Sequence, residues 1–324
     1  MKVAILGFGT VGQGIYSILI KKFEEFKDDY GLEFVVSSIL VKDLSWERIP
    51  GTKHLYTNNM DDILATENLN IVFEAIGNEN PPYNYLKKAI EYGCHVVTAN
   101  KNMFSKYGVE LENLAEKNGV YIGYEGTTAG SIPIIRSIRS ILQVNEISRI
   151  QGILNGTSNY ILTQMCEGAT FEVALREARL KGYAEADCSD DISGRDALYK
   201  LKILSKAAFG KQSKDININF EGIDNITNDN VKEANKKGLR YRHIAEIERG
   251  KDGSILAKVG PQLIDIKHPF YAVDGVNNAV LIETNYSGNL IFLGPGAGMY
   301  PTASVMVEDC IDIIRKEINS TLVV

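Results

Sequence analysis

The sequence predicts an α/β domain on a doubly wound parallel sheet, joined to an α+β domain with an open, mostly antiparallel sheet. Three observations carry this. "VAILG" (Val3–Gly7) runs directly into "GFGTVG", a glycine turn between an apolar strand and an amphipathic helix. Strand-like and helix-like segments then alternate as far as Gly126. From about Ser131 the alternation stops, and Asp252-Gly253 and Ser287-Gly288 mark hairpin turns between apolar runs. A chain of 324 residues is long enough for two cores. We place the nucleotide-type domain at residues 1–132 and 294–324, and the second domain at residues 133–293.

Val3–Gly7 reads as a buried parallel strand. The helix after it places Ile15, Ile18, Leu19 and Phe23 on one face of "QGIYSILIKKFEEF". Gly7, Gly9 and Gly12 fit the G-x-G-x-x-G pattern in the context it needs. The first permits the tight turn, the second a close backbone approach to a pyrophosphate, and the third helix–strand packing. The intervening Phe8, Thr10 and Val11 line the same turn, at a helix N-terminus suited to an anion. This is a Rossmann-type dinucleotide signature. "EFVVSSILV" is a second strand, followed by Lys42-Asp43. A carboxylate there suits the ribose hydroxyl of NAD and a lysine the 2′-phosphate of NADP, so both cofactors stay open.

"NIVFEAIG" ends as a strand at Gly77, and "PPYNYLKKAIEYG" is a helix that starts after proline and stops at Gly93. "CHVVTANK" is a strand running into a polar turn, "YGVELENLAEKNG" a helix from Tyr107, and "VYIGYEG" the next strand. Gly77, Thr98 and Lys101 thus fall at the carboxyl ends of parallel strands, where ligands bind in such sheets. Beyond Pro133 come a helix, the strand "ISRIQGIL", a helix capped by "NGTS", and a helix ended by Gly182. "GRDALYKLKILSKAAFG" follows as an amphipathic helix, then four strands and a last helix from near Thr302. Thr227–Gly238 is polar and reads as an exposed helix and loop.

Composition removes several classes. The net charge of −6 argues against a nucleic-acid surface. No apolar run approaches the ~20 residues of a membrane span. Cys94, Cys166, Cys188 and Cys310 are scattered and the four histidines lack ligand spacing, so a zinc module is not expected. Free thiols suit a reducing cytoplasm.

"KGYAEADCSDDISGRDALYK" crowds Glu185, Asp187, Asp190, Asp191 and Asp196 ahead of Lys200. Asp196 and Lys200 are four apart and share a helix face, which by itself describes a weak surface ion pair. Beside a nicotinamide-type site the stretch carries a second meaning. Carboxylates suit a substrate ammonium, and a lysine suits the proton that accompanies hydride transfer. The residues therefore point to a dehydrogenase acting on an amino-acid-like alcohol or carbonyl compound.

Seven stretches in order, "GFGTVGQG", "LVKDLS", "HVVTANK", "YEGTTAGSIPII", "GILNGTSNYIL", "KGYAEADCSDDISGRDALYKLKIL" and "GPGAGMYPTASVMVED", resemble the homoserine dehydrogenases over essentially the whole chain. The resemblance implies reversible NAD(P)-linked interconversion of L-homoserine and L-aspartate 4-semialdehyde, in threonine and methionine biosynthesis. It implies Lys200 as proton donor or acceptor, Lys101 as its assistant, and Asp196 contacting substrate and lysine. It implies Glu185 and Asp191 at the substrate amino group, Gly156 and Thr157 at the pocket edge, and Lys42, Glu185 and Gly298 at the cofactor. It further implies a monovalent cation, usually sodium, held by the Glu125 side chain and main-chain carbonyls of Thr128, Gly130 and Ile132. A homodimer formed through the second domain is expected. Threonine feedback is not, because no regulatory domain follows the last helix. Dihydrodipicolinate reductase shares the chemistry but not the "GRDALYK" helix, and a non-catalytic NAD(P) sensor would not need both lysines and all the carboxylates.

Overall fold

The computed structural model describes every residue except Leu32, Asn78, residues 211–215, Asn217, Val323 and Val324. The side chains of Phe23, Asp29, Tyr30 and residues 319–322 also lie outside the description. The chain divides into two units, Met1–Thr127 with Gly298–Val324, and Thr128–Ala297. Among the described residues no helix is long and apolar enough to cross a membrane.

The first unit is a six-stranded sheet of β1 (Lys2–Leu6), β2 (Val35–Leu40), β3 (Tyr56–Thr57), β4 (Leu69–Glu74), β5 (His95–Thr98) and β6 (Ile122–Gly123). Every pairing is parallel, in the order β3-β2-β1-β4-β5-β6. The strands read as unbroken apolar runs because both faces are covered. Val3, Ile5, Ile71 and Phe73 point to one side, where they meet Ile15 and Leu19 of α1 (Thr10–Lys21) and Met306 of the C-terminal helix (Met299–Leu322). Ala4, Leu6 and Val72 point to the other side. There they meet residues of α3 (Met60–Leu64), α4 (Pro82–Glu91) and α5 (Lys101–Lys117). The period of two along each strand thus builds two separate cores.

Three details differ from the sequence reading. The first helix begins at Thr10 and ends at Lys21, and a separate α2 (Phe23–Tyr30) follows. The helix expected from Tyr107 begins at Lys101, because the Asn100 side chain accepts the Met103 N–H at 3.1 Å and caps it there. The last helix starts at Met299, three residues before Thr302. Strand β3 and helix α3 were not foreseen, being two and five residues long and without periodic signal.

The second unit contains α6 (Ile134–Ile141), β7 (Ile147–Ile153), α7 (Gly156–Cys166), α8 (Phe171–Leu180), α9 (Ser189–Ile192) and α10 (Arg195–Phe209). It continues with β8 (Asn219–Phe220), α11 (Asn228–Lys236), β9 (Arg240–Arg249), β10 (Ile255–Ile264), β11 (Asn277–Thr284) and β12 (Asn289–Pro295). Its sheet runs β12-β11-β7-β9-β10-β8 and is antiparallel except for the short β8–β10 pair. Both hairpins fall where the turn residues place them. Gly253 (φ +83°) and Gly288 (φ +68°) supply the left-handed conformation their turns require. Helices α7 and α10 pack on β9.

Candidate functional site

In the first unit the glycine turn has the shape of a phosphate cradle. A Cβ on Gly12 would lie 2.0 Å from the Gly7 carbonyl oxygen, so the helix starts as close to the turn as a chain permits. A Cβ on Gly7, at φ +89°, would lie 2.8 Å from the Ala75 carbonyl oxygen. Gly9 has open space where a Cβ would stand, and no side chain caps α1 there. The first-turn N–H groups at Thr10, Val11 and Gly12 therefore suit a pyrophosphate. Phe8 turns its ring into the core, edge-on to Tyr16 and Tyr56 at 5.9 and 5.7 Å, so only its backbone borders the turn. Gly298, at φ +130°, precedes the C-terminal helix.

After β2, Lys42 is exposed. The Asp43 carboxylate accepts from the Ser45 hydroxyl at 2.6 Å and its N–H at 2.8 Å, which holds it below the usual carboxylate range. Asp43 is thus committed to a local turn.

Gly77 and Thr98 lie past or at the ends of β4 and β5, and Lys101 opens α5. Beneath them is a residue the sequence reading missed. Glu74, the last residue of β4, is fully buried. Its carboxylate accepts from the Ile76 N–H at 2.6 Å and the Thr98 hydroxyl at 2.5 Å. Burial pushes its pKa up to about 7, against the pull of the Thr98, Ile76 and Asn100 hydrogen bonds. A lone glutamate ending an apolar strand carries no sequence pattern, and only its fully buried position singles it out.

In the second unit, Asp196 and Lys200 occupy the first and second turns of α10. The pair is not the surface ion pair that spacing alone describes. Asp196 is 3 % and Lys200 7 % exposed. Lys200 Nζ stands 2.8 Å from Asp196 Oδ2 and donates to the Leu154 carbonyl at 2.6 Å. Leu154 directly follows β7, so the strand end and the helix start converge on the ammonium.

Asn155 ties this pair to the acidic loop. Its Nδ2 donates to Asp191 Oδ1 at 2.7 Å and Asp196 Oδ2 at 2.9 Å, while its Oδ1 caps α7 through the Ser158 N–H at 2.8 Å. Ser158 Oγ donates to the Asp191 carbonyl at 2.7 Å. The sequence reading saw Asn155 only as a cap. Gly156 leaves no room for a side chain, since a Cβ would stand 2.7 Å from the Val276 carbonyl oxygen. The Thr157 hydroxyl donates to the Tyr183 carbonyl at 2.7 Å, fixing the start of the acidic loop.

The five carboxylates divide. Asp191 and Asp196 join the Asn155–Lys200 cluster. Asp190 pairs with exposed Arg195 at 2.9 Å, and Asp187 accepts the Ser189 N–H at 3.1 Å. Glu185 projects from the exposed turn between α8 and α9 and makes no hydrogen bond among the described residues.

The start of α10 is braced from behind. Gly194, at φ +81°, packs against the Glu221 carbonyl and His243 Nε2, which themselves lie 2.9 Å apart. Burial holds the His243 pKa below its ordinary value.

The residues expected at a cation fall in both units. Glu125 is buried in the first and its N–H donates to Asp309 Oδ2 at 2.8 Å. Thr128, Gly130 and Ile132 belong to the second. Gly130 is left-handed (φ +64°), and a Cβ on it would strike the backbone of Pro295 and Gly296 at 2.4 Å.

Known proteins match both units. The family described as homoserine dehydrogenase matches residues 133–311, and the homoserine dehydrogenase NAD binding domain matches residues 7–125. The homoserine dehydrogenase of Lactococcus lactis is 37% identical over 99% of this chain and 76% of its own. That of Bacillus subtilis is 35% identical over 97% and 73%. The crystal structure of a homoserine dehydrogenase from Thiobacillus denitrificans superposes with a TM-score of 0.91 at 38% identity, covering 98% of this chain and 74% of that one. A hyperthermophilic archaeal homoserine dehydrogenase in complex with NADPH gives 0.81 at 30% identity, covering 97% and 98%.

Proposed function

The chain belongs to the homoserine dehydrogenase family, and from that premise we propose how its residues divide the work. The protein is an NAD(P)-dependent oxidoreductase that interconverts L-homoserine and L-aspartate 4-semialdehyde. When bound, the nicotinamide supplies a hydride acceptor, or in its reduced form a donor, for the substrate's terminal carbon.

Lys200 takes the hydroxyl proton as the alcohol becomes the aldehyde and returns it in the reverse direction. Asp196 orients Lys200 and balances its charge, and Lys101 assists at the same oxygen. Asp191 and Glu185 receive the substrate ammonium, with Gly156 and Thr157 at the pocket edge. The observation that carries this reading is the buried Asp196–Lys200 pair at 2.8 Å. A buried ion pair is a poor way to gain stability, so its placement beside a carboxylate cluster favours a chemical role.

The test measures homoserine-dependent reduction of NAD and NADP separately. Lys200→Ala is expected to lower kcat by about 10²–10⁴-fold in both directions while leaving cofactor binding in place. Unchanged turnover would remove Lys200 from the mechanism.

Of the two cofactors, we assign NADP. Asp43 is occupied by Ser45, which leaves Lys42 as the charged side chain for the ribose edge. Lys42→Glu is expected to raise KM for NADP and spare that for NAD. A monovalent cation on the Glu125 carboxylate and the carbonyls of Thr128, Gly130 and Ile132 is supported by the burial of Glu125 and the constrained turn at Gly130. A sodium-dependent rise in melting temperature, absent with choline and in Glu125→Gln, tests it. A homodimer formed through the second unit's sheet completes the reading.

A further inference from the structure

Three turns that border the cofactor's side of the first sheet are tied to one buried carboxyl. Glu74 Oε1 accepts the Ile76 N–H at 2.6 Å, immediately before Gly77. Glu74 Oε2 accepts the Thr98 hydroxyl at 2.5 Å, and Thr98 Oγ1 accepts the Asn100 N–H at 3.0 Å. Asn100 closes the circle. Its Nδ2 donates to the Ile76 carbonyl at 2.7 Å, and its Oδ1 accepts the Met103 N–H in the first turn of α5, whose first residue is Lys101. The third turn is the glycine loop, where Gly7 packs against the Ala75 carbonyl next to Glu74.

The hydrogen bonds that lead to Glu74 all run toward the carboxyl. Asn100 N–H gives to Thr98, and the Thr98 hydroxyl gives to Glu74. That polarity matches an ionised acid. A protonated Glu74 would have to donate to Thr98 Oγ1 or leave its own proton without an acceptor, and the circle would reverse or loosen.

Among the described residues Glu74 takes part in no ion pair. In the sheet, Glu74 lies between Leu6 of β1 and Thr98 of β5. The inward residues of the packed helices are Gly12, Gly14, Ile15 and Leu19 from α1, Pro82, Leu86, Ala89 and Ile90 from α4, and Met103, Phe104, Gly108, Leu111 and Ala115 from α5. None of these carries a charge, and the tyrosines that pack partly buried against the core of α4 and α5 are Tyr83, Tyr85 and Tyr107, with the Tyr83 hydroxyl turned to Glu110. Lys101, partly buried at the head of α5, is the basic group the topology brings to the same strand ends, while Lys106 pairs with Glu79 at 3.1 Å.

We propose that Glu74 is a positioning residue that holds the cofactor-side turns in one arrangement and, as a buried anion behind them, makes the protein favour the oxidised, cationic nicotinamide over the reduced, neutral one. This rests on the reading that the cofactor lies at the carboxyl ends of β1, β4 and β5. The nicotinamide ring loses its positive charge when it takes the hydride, and a nearby buried carboxylate interacts with that charge strongly in a low-dielectric site. Burial weakens Glu74 as an acid and places its ionisation near neutral pH, so the preference is pH-dependent and oxidised-cofactor binding expels a proton.

The experiment titrates NADPH and NADP⁺ into wild type and Glu74→Gln from about pH 6 to about pH 8, by reduced-ring fluorescence and calorimetry. In the wild type, affinity for the oxidised form relative to the reduced form is expected to rise about tenfold across this range. In Glu74→Gln the ratio is expected to be flat, and Glu74→Asp restores part of the slope. Wild-type calorimetry in two buffers of different ionisation enthalpy reads the expelled proton directly, so the inference stands or falls even if the Gln variant does not fold. Tight binding of both forms with a pH-independent ratio and no proton release overturns the proposal alone. Absence of binding by either form removes the cofactor reading, and the proposal with it.

Discussion

At the scale of single residues, the site depends on polar groups taken out of water with their partners supplied. Asn155 is the economical case, because one amide caps α7 and donates to both Asp191 and Asp196. Asn155→Ala removes the cap, worth about 1 kcal/mol, and leaves the buried Asp196 and the half-buried Asp191 each short of a donor. We expect a melting temperature several degrees lower and a larger loss in kcat than in cofactor affinity. Equal loss in both would mean that Asn155 only supports the fold. Glu74 makes a second prediction, read from stability. Its folded pKa, about 7, lies above its ordinary 4.5, so the folded state binds the proton more tightly. Its contribution is full below about pH 4.5 and is lost as pH rises through about 7, on the order of 3 kcal/mol in total. His243 works in the opposite sense, because burial lowers its pKa and its contribution is lost on acidification below about 6.5. Urea midpoints of Glu74→Gln should therefore rise with pH relative to wild type between about 5 and 7, and a parallel profile would show that Glu74 does not titrate there.

At the scale of elements, the start of α10 decides where Asp196 and Lys200 stand. No side chain caps it, and its N-cap Gly194 holds a left-handed conformation 2.8 Å, by its missing Cβ, from the Glu221 carbonyl. The Ile223 N–H donates to the Ile192 carbonyl at 2.9 Å, so the segment from Glu221 clamps the turn from outside. Gly194→Ala is expected to cost about 1–3 kcal/mol from the backbone conformation and the collision. It should lower kcat as the helix start shifts, read by urea denaturation and turnover together. Full activity at reduced stability would show that the turn is not what positions the pair. This clamp also marks where sequence stopped being informative. The i,i+4 spacing of Asp196 and Lys200 and the strand–glycine–helix context of Gly7 to Gly12 are local patterns, and both were legible. The burial of the pair comes from the Leu154 carbonyl, 46 residues earlier in the chain, and the bracing comes from Glu221 and His243. Such partners are set by tertiary packing and leave no periodic trace. The same reason hid Glu74, and it explains why α5 was placed six residues late: the cap at Asn100 outweighs the weak helical signal before Tyr107.

At the scale of the molecule, the second unit's sheet leaves one face with an unusual composition. Strand register aligns Ile291, Leu281, Gln151, Glu246 and Lys258 in one row and Glu283, Arg149, Glu248 and Leu256 in the next. These residues share a face, because neighbours across a sheet point the same way. Tyr241, on the opposite face, packs with the cluster around α7. Within the rows, Arg149 reaches Glu246 and Glu283, and Gln151 and Gln262 donate to Glu246, forming a satisfied polar centre. Around it Leu256, Ile291 and Leu293 stand more than half exposed. An exposed aliphatic border around a paired polar centre suits a second copy of the same surface, since a two-fold contact must be complementary to itself. The homodimer proposed above would use this face, and a stable one needs about 800 Å² from each partner. Sedimentation across a dilution series should find wild type as a dimer at micromolar concentrations, with Ile291→Lys combined with Leu293→Lys shifting the equilibrium to monomer by at least about tenfold. The double variant should keep its urea midpoint at concentrations where wild type is itself monomeric, because both side chains are exposed within the unit. A wild-type monomer at every concentration would remove the dimer, and an unaffected dimer in the variant would move its interface off this face.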